Sequence, residues 1–211
     1  MINIDVRGID AVQRKLKQLS SDLQAKAGQM AINKTAQKAK TEIKRAVTTE
    51  FAIKANEVAS SVYLNPSKMG KTGKVEATID IFGSPSRKGR SMNVVHFLEK
   101  SITMGEAKRR SKQNKLYGIG RGGKLLPILG FKFKKAGGTK QIEGAFIGNK
   151  GRTVFVRTGK SRLPIKPVQM IGVSQMFSAE RIKSRVMDKI NRDLIEETSR
   201  AVDYLISKAA K

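Results

Sequence analysis

Apolar and polar positions change their period several times along the chain. Over residues 1–8 they alternate, with Ile2, Ile4 and Val6 in step until Gly8, and this predicts a short strand. Asp10 is placed to cap a helix whose apolar positions are Val12, Leu16, Leu19 and Leu23. Gly28 is expected to interrupt it. A second helix is expected over about 30–48, with Ile32, Ala36, Ala39, Ile43 and Val47 as its inner stripe and Lys34, Lys38, Lys40, Lys44 and Arg45 around its outer faces. A further helical turn is expected over 56–61. Strands follow over 62–64 and 74–82, joined by the turn-rich NPSKMGKTG; the second alternates Val75, Ala77, Ile79 and Ile81 against Glu76, Thr78 and Asp80.

Periodicity then fades over 86–140, where one short helix is expected near 94–100 within loops. It returns at Gly144. Residues 145–147 and 153–157 read as a hairpin with NKGR as its turn region, and Arg162-Leu163-Pro164-Ile165 with Pro167 as a stiff extended connection. Residues 174–211 read as one long amphipathic helix with the stripe Ile182, Val186, Ile190, Leu194, Ala201 and Leu205. The expected fold is α+β: a small mixed or antiparallel sheet packed by N-terminal helices and a long C-terminal helix, with a long basic loop excursion. No repeat or firm boundary divides the 211 residues, so a single domain over 1–211 is expected.

Composition changes this picture in one direction. Lys and Arg number 43 against 17 acids, for a net charge of +26. Such a surface repels copies of itself and calls for a polyanion or an acidic partner, nucleic acid before an anionic membrane. Half of the excess sits in 86–140, where fifteen Lys and Arg face only Glu99 and Glu106. Aromatics are only 5% of residues and are sparse in the basic regions, which argues against recognition of single strands by stacking. The absence of cysteine removes disulfides, thiolate chemistry and Cys-based metal sites. The N-terminal MINIDVRGID is not expected to act as a secretory signal, and no apolar run approaches the length of a membrane span.

Catalytic chemistry finds little to work with. His96, in VVHFLEK, is the only histidine, and no Ser stands in a Gly-x-Ser-x-Gly context; a packed or surface role is expected for it. The acids are scattered except for Glu196-Glu197, which read as a solvated helix face balancing nearby cations. Residues 118–124, GIGRGGK, imitate both G-x-G-x-x-G and most of the G-x-x-x-x-G-K loop. Leu125 stands where the magnesium-binding hydroxyl belongs, and Pro127 opposes the helix that would cradle phosphate, so no cofactor and no metal is expected. The same glycine-rich backbone suits Lys108, Arg109, Arg110, Lys112, Arg121, Lys124, Lys132, Lys134 and Lys135 to another task. They can meet DNA phosphates without reading sequence, or dock on acidic surfaces of neighbouring subunits.

Two segments resemble the bacteriophage minor tail protein Z (tail-completion) family: MAINKTAQKA at 30–39, and GAFIGNKGRTVFVRTGKSRLPIKPVQMIGVSQMF at 144–177. The second joins a Gly-Ala-Phe-Ile strand, a strand ending in Arg, the Arg-x-Pro-Ile turn and a run into the last helix. The resemblance implies a structural, non-enzymatic part of the virion tail or neck, present in the host cytoplasm during assembly. It implies a place at the head-proximal end of the tail, in a homo-oligomeric, six-fold ring around the DNA channel. There it would help to join head and tail and to seat the genome end. Tail terminator and head–tail connector proteins, the tape measure protein and genomic double-stranded DNA are the partners it implies, with no membrane. Arg157, Arg162 and Pro164 become candidates for a subunit contact. The rival readings are a free nucleic-acid-binding protein of ribosomal or chromatin type, which leaves the 144–177 pattern unexplained, and an enzyme, which lacks a metal set or triad.

Overall fold

The computed structural model describes residues 20–67, 75–84, 91–101, 118–119, 125–126, 129–159 and 161–209. The strand expected over 2–6, the Asp10 cap and the helical positions up to Leu19 lie outside the described residues, as do most of NPSKMGKTG and of GIGRGGK.

Two long helices, α1 (Ser21–Glu50) and α4 (Glu180–Ala209), pack along each other in opposite directions. Ala27 and Ala31 meet Ala201, Val202 and Leu205 at one end. At the other, Ala39, Ile43, Ala46 and Val47 share a core with Ile182, Val186 and Ile190. Each helix spans about 45 Å at 1.5 Å per residue. The alanines on α1 let the two backbones approach closely. α1 runs unbroken through Gly28, contrary to the expected interruption. A helical glycine costs only about 1 kcal/mol relative to Ala, and the burial of Ala27 and Ala31 on either side, both at 1% exposure or less, outweighs that. The C-terminal helix, by contrast, is two helices. α3 (Val173–Phe177) is separated from α4 by Ser178 and Ala179. Gln175 Oε1 accepts the Gly172 N–H at the start of α3; at its end the Ala179 N–H turns back to the Met176 carbonyl, three residues behind rather than four, and the Ala179 carbonyl takes the Ile182 and Lys183 N–H groups to begin α4.

After α1, the helix α2 (Ala55–Ser61) leads directly into β1 (Val62–Asn65), which pairs antiparallel with β2 (Thr78–Ile81), Val62 opposite Ile81 and Leu64 opposite Ile79. The strand expected over 74–82 is thus shorter, and 75–77 lie outside it. The segment expected to be an excursion of loops holds much of the core. β3 (Ser91–Asn93), a 3-10 turn (Val94–Phe97) and β4 (Leu98–Ser101) replace the short helix expected near 94–100. β5 (Gly118–Ile119) and β6 (Leu125–Leu126) pair with each other, and β7 (Leu129–Phe131) lies between β4 and β8 (Lys140–Gln141). Met92, Val94, Phe97, Leu129 and Phe131 are all buried. Their spacing is too short for a period to show.

The hairpin of β9 (Phe146–Gly148) and β10 (Thr153–Arg157) forms as expected, with a 3-10 turn over Asn149–Gly151. Residues 165–167 are not merely a connection. They form β11 (Ile165–Pro167), the third strand of this sheet, with Phe155 opposite Pro167. β12 (Gln169–Ile171) then leaves it to pair with β3.

Candidate functional site

Asn93 holds the three-stranded sheet to the body. Val168 N–H donates to the Val154 carbonyl, continuing the β10–β11 ladder by one step, but the Val168 carbonyl is taken by the Val94 N–H. The Val154 N–H would be left over where the ladder splits. Asn93 Oδ1 accepts it at 2.9 Å and also accepts the Val95 N–H at 3.1 Å, while Asn93 Nδ2 donates to the Val154 carbonyl at 3.2 Å. The side chain therefore stands in for a missing strand.

β10 places apolar side chains on each of its faces, with Phe155 between Thr153 and Arg157 on the outer one. Val154 and Val156 point to the inner core with Ile147, Val168 and Met170. Phe155 points the other way, beside Phe146 on β9, with ring centroids 6.0 Å apart and planes 29° from parallel. The Arg157 guanidinium lies 4.8 Å from the centre of the Phe146 ring, close enough for a cation–π contact. Arg157 is exposed. So are Arg162 and Pro164, in the connection between β10 and β11, where the Pro164 carbonyl accepts both the Thr158 N–H and the Thr158 hydroxyl. The peptide bond before Pro164 is cis. Arg157, Arg162 and Pro164 thus share one hairpin.

Lys132, Lys134 and Lys135 sit elsewhere, on the chain leaving β7. The Lys132 N–H bonds to the Phe97 carbonyl, Lys134 bridges to Phe51, and the Lys135 N–H bonds to the Glu50 carbonyl at the end of α1. Their backbones are fixed while Lys134 and Lys135 project exposed. Lys108, Arg109, Arg110, Lys112, Arg121 and Lys124 lie outside the described residues.

The acids are used differently. Glu42, Asp193 and Glu197 are buried along the seam between α1 and α4. Glu197 takes Lys38 Nζ at 2.6 Å and Arg200 at 2.7 Å, so it is neither solvated nor part of a free acidic face, and Lys38 turns inward rather than outward. The hydrogen bond from Lys38 is the largest influence on the Glu197 carboxyl. With the charge of Lys38 and with Arg200 it outweighs burial and holds the group below its ordinary 4.5. The same hydrogen bond raises Lys38 above 10.5. His96 Nδ1 stands 3.3 Å from Glu57, a contact between the 3-10 turn and α2. Among the described residues no group of three or more His, Cys, Asp or Glu is close enough to hold a metal ion, and no helix is long and apolar enough to cross a membrane.

The family described as prophage minor tail protein Z matches residues 6–208, nearly the whole chain. The chain belongs to that family. No curated protein and no solved structure matches it. Family membership makes it a phage minor tail protein, a component of the virion. The two segments that carry the resemblance now have physical tasks in this minor tail protein. In MAINKTAQKA, Ala31, Ala36 and Ala39 are buried and Lys38 reaches Glu197. Asn33 clamps the Ser67 backbone through both its N–H, at 2.7 Å, and its carbonyl, at 3.1 Å. The 144–177 run builds the β9–β10–β11 sheet and α3.

Sequence reasoning had missed Asn93, Asn33 and the Phe146–Phe155 pair. Only the last left a legible signal: in Thr153–Arg157 the register opposite Val154 and Val156 sets an aromatic, Phe155, between Thr153 and Arg157.

Proposed function

We propose that this minor tail protein completes the tail at its head-proximal end, as a single domain whose copies form a six-fold ring around the DNA channel. In this reading it is structural rather than catalytic. It joins the tail to the head through the tail terminator and connector proteins, neighbours the tape measure protein, and helps seat the end of the double-stranded genome. Lys108, Arg109, Arg110, Lys112, Arg121, Lys124, Lys132, Lys134 and Lys135 meet DNA phosphates or an acidic adjoining ring.

The observation that carries this reading is the family match over residues 6–208. The distribution of charge supports it. Between residues 107 and 179 the chain has seventeen Lys and Arg and a single acid, Glu143. The acids that could balance them are drawn into the helix seam instead: Glu42 faces Arg45 and Arg185, Asp193 faces Lys189, and Glu50 takes Arg181. These acids of the long helices are answered by the helices' own cations, and the basic stretch is left for a partner.

Image reconstruction of the intact phage neck tests the proposal. The expected result is density for this chain as a ring enclosing the channel, with 86–140 turned to DNA or an adjoining ring. Absence of the chain from the mature particle would overturn the placement and leave an assembly factor or a free nucleic-acid binder.

A further inference from the structure

We infer that the outer face of the β9–β10–β11 sheet binds unpaired nucleobases, as a stacking surface for single-stranded nucleic acid. This goes beyond the proposed role in the neck. It concerns a face outside 86–140 and a ligand other than duplex phosphate, and it stands or falls apart from the ring.

Three observations carry it. The pairing register sets Phe146, Phe155 and Pro167 side by side across the three strands. None of the three packs into the inner cores, which take Ile147, Val154 and Val156 from the opposite face. This is a row of two half-buried Phe rings and an exposed proline on the outer side of an antiparallel sheet, outside the hydrophobic core clusters. Second, Phe155 packs closely against β9. A Cβ at position 148 would stand 3.0 Å from Cδ2 and Cε2 of Phe155, so glycine there is what lets that ring lie against the neighbouring backbone. Third, the segment that carries the row is basic. Arg157 lies over Phe146, and residues 144–179 contain six Lys and Arg and no acid.

A second copy of this face is a poor partner, because a self-complementary contact sets like charges against each other. A single strand satisfies both features in one polymer. Its bases offer π faces to Phe and to the Arg guanidinium, and its phosphates offer the negative charge. A duplex offers the charge but keeps its base faces stacked inside. The stacking that composition argued against is therefore supplied by two of the chain's eight Phe brought together by pairing.

The chain has no Trp, so Phe155→Trp in the full-length protein provides one fluorophore at the centre of the row. It is titrated with a dT20 strand, with a duplex of the same length, and with inorganic polyphosphate. The expected result is quenching by dT20 and none by polyphosphate. In parallel, Phe146→Leu with Phe155→Leu keeps apolar cover but removes the rings. Binding of labelled dT20 to that variant should weaken about tenfold, the worth of about one stacked base, with duplex affinity and the circular dichroism spectrum unchanged. Equal responses to dT20 and polyphosphate, or an unaltered preference for dT20 over duplex in the Leu variant, would overturn the inference and leave the face to an acidic protein. The Leu variant decides the matter alone if the Trp substitution fails to fold.

Discussion

Replacing Asn93 with Ala tests whether one polar side chain sets the position of the whole outer sheet. The substitution deletes the acceptor of two backbone N–H groups and the donor to one carbonyl. The Val154 carbonyl keeps the Val168 N–H, so it loses little. The Val154 N–H is in a residue with 0% exposure and loses the acceptor that meets it where the ladder splits. A buried donor without a partner costs about 1–3 kcal/mol, and the lost bond to Val95 adds about 0.5–1.5 kcal/mol. A loss of about 3 kcal/mol is therefore expected, or about 6–12 °C in Tm at about 2–4 °C per kcal/mol for a chain of this size. Urea unfolding gives the free energy, and hydrogen exchange at the Val154 amide gives its location: protection there should fall more than in the α1–α4 pair. Asn93→Asp should fall between the two, because it keeps the acceptors and turns an oxygen toward the Val154 carbonyl. A loss below about 1 kcal/mol with Val154 still protected would refute the stand-in role, since it would mean that the ladder closes without Asn93.

Three further outcomes follow from the same structure. The folded pKa of Glu197 is lowered, so its contribution is full above the ordinary 4.5 and disappears as the pH falls through the lower folded value; Lys38 is raised, so its contribution is full below 10.5 and disappears as the pH rises through the higher folded value. Urea midpoints across pH should show a plateau between those limits, and Glu197→Gln should flatten the acid side; an unchanged acid limb would place the proton uptake elsewhere. Phe131→Ala, at a site with 0% exposure, should cost about 3–5 kcal/mol in urea unfolding, whereas near-neutrality would mean that 86–140 is the detachable loop its composition suggests. Reversing Lys108, Arg109 and Arg110 to Glu should leave the melting temperature unchanged and lower the yield of infectious particles; a variant that unfolds would make the cluster part of the fold.

The helices were legible because their signal repeats many times over. Ile43, Val47, Ile182, Val186 and Ile190 recur at helical spacing over thirty-residue elements, and single exceptions such as Gly28 could not outweigh them. What was illegible sits where a run is too short to repeat. Ser91–Asn93 and Leu129–Phe131 are three-residue strands embedded in basic, glycine-rich sequence. Their burial depends on partners far away in the chain, such as β12 for β3. The break at Ser178 and Ala179 was hidden because it carries neither Pro nor Gly, and shows only in the Ala179 N–H turning back to the Met176 carbonyl.

For the candidate site the limit was one of placement. Composition counts charges but does not say which are already answered. Glu196 and Glu197 are adjacent in sequence and read alike, yet Glu197 is buried between Lys38 and Arg200 while the Glu196 side chain remains 52% exposed. Both meet the same two cations, and only the approach of α1, which covers Glu197, distinguishes them. Lys38 and Lys34 are likewise one helical turn apart, and the former is bound to the seam while the latter stays exposed. The basic character available to a partner is thus not the net charge of the chain spread evenly over it. Its largest share lies between residues 107 and 179, where seventeen Lys and Arg face a single acid. Any polyanion bound there should release counterions in proportion to the cations of that stretch. Removing a cation from the helix seam should alter stability instead and leave the salt dependence of binding unchanged.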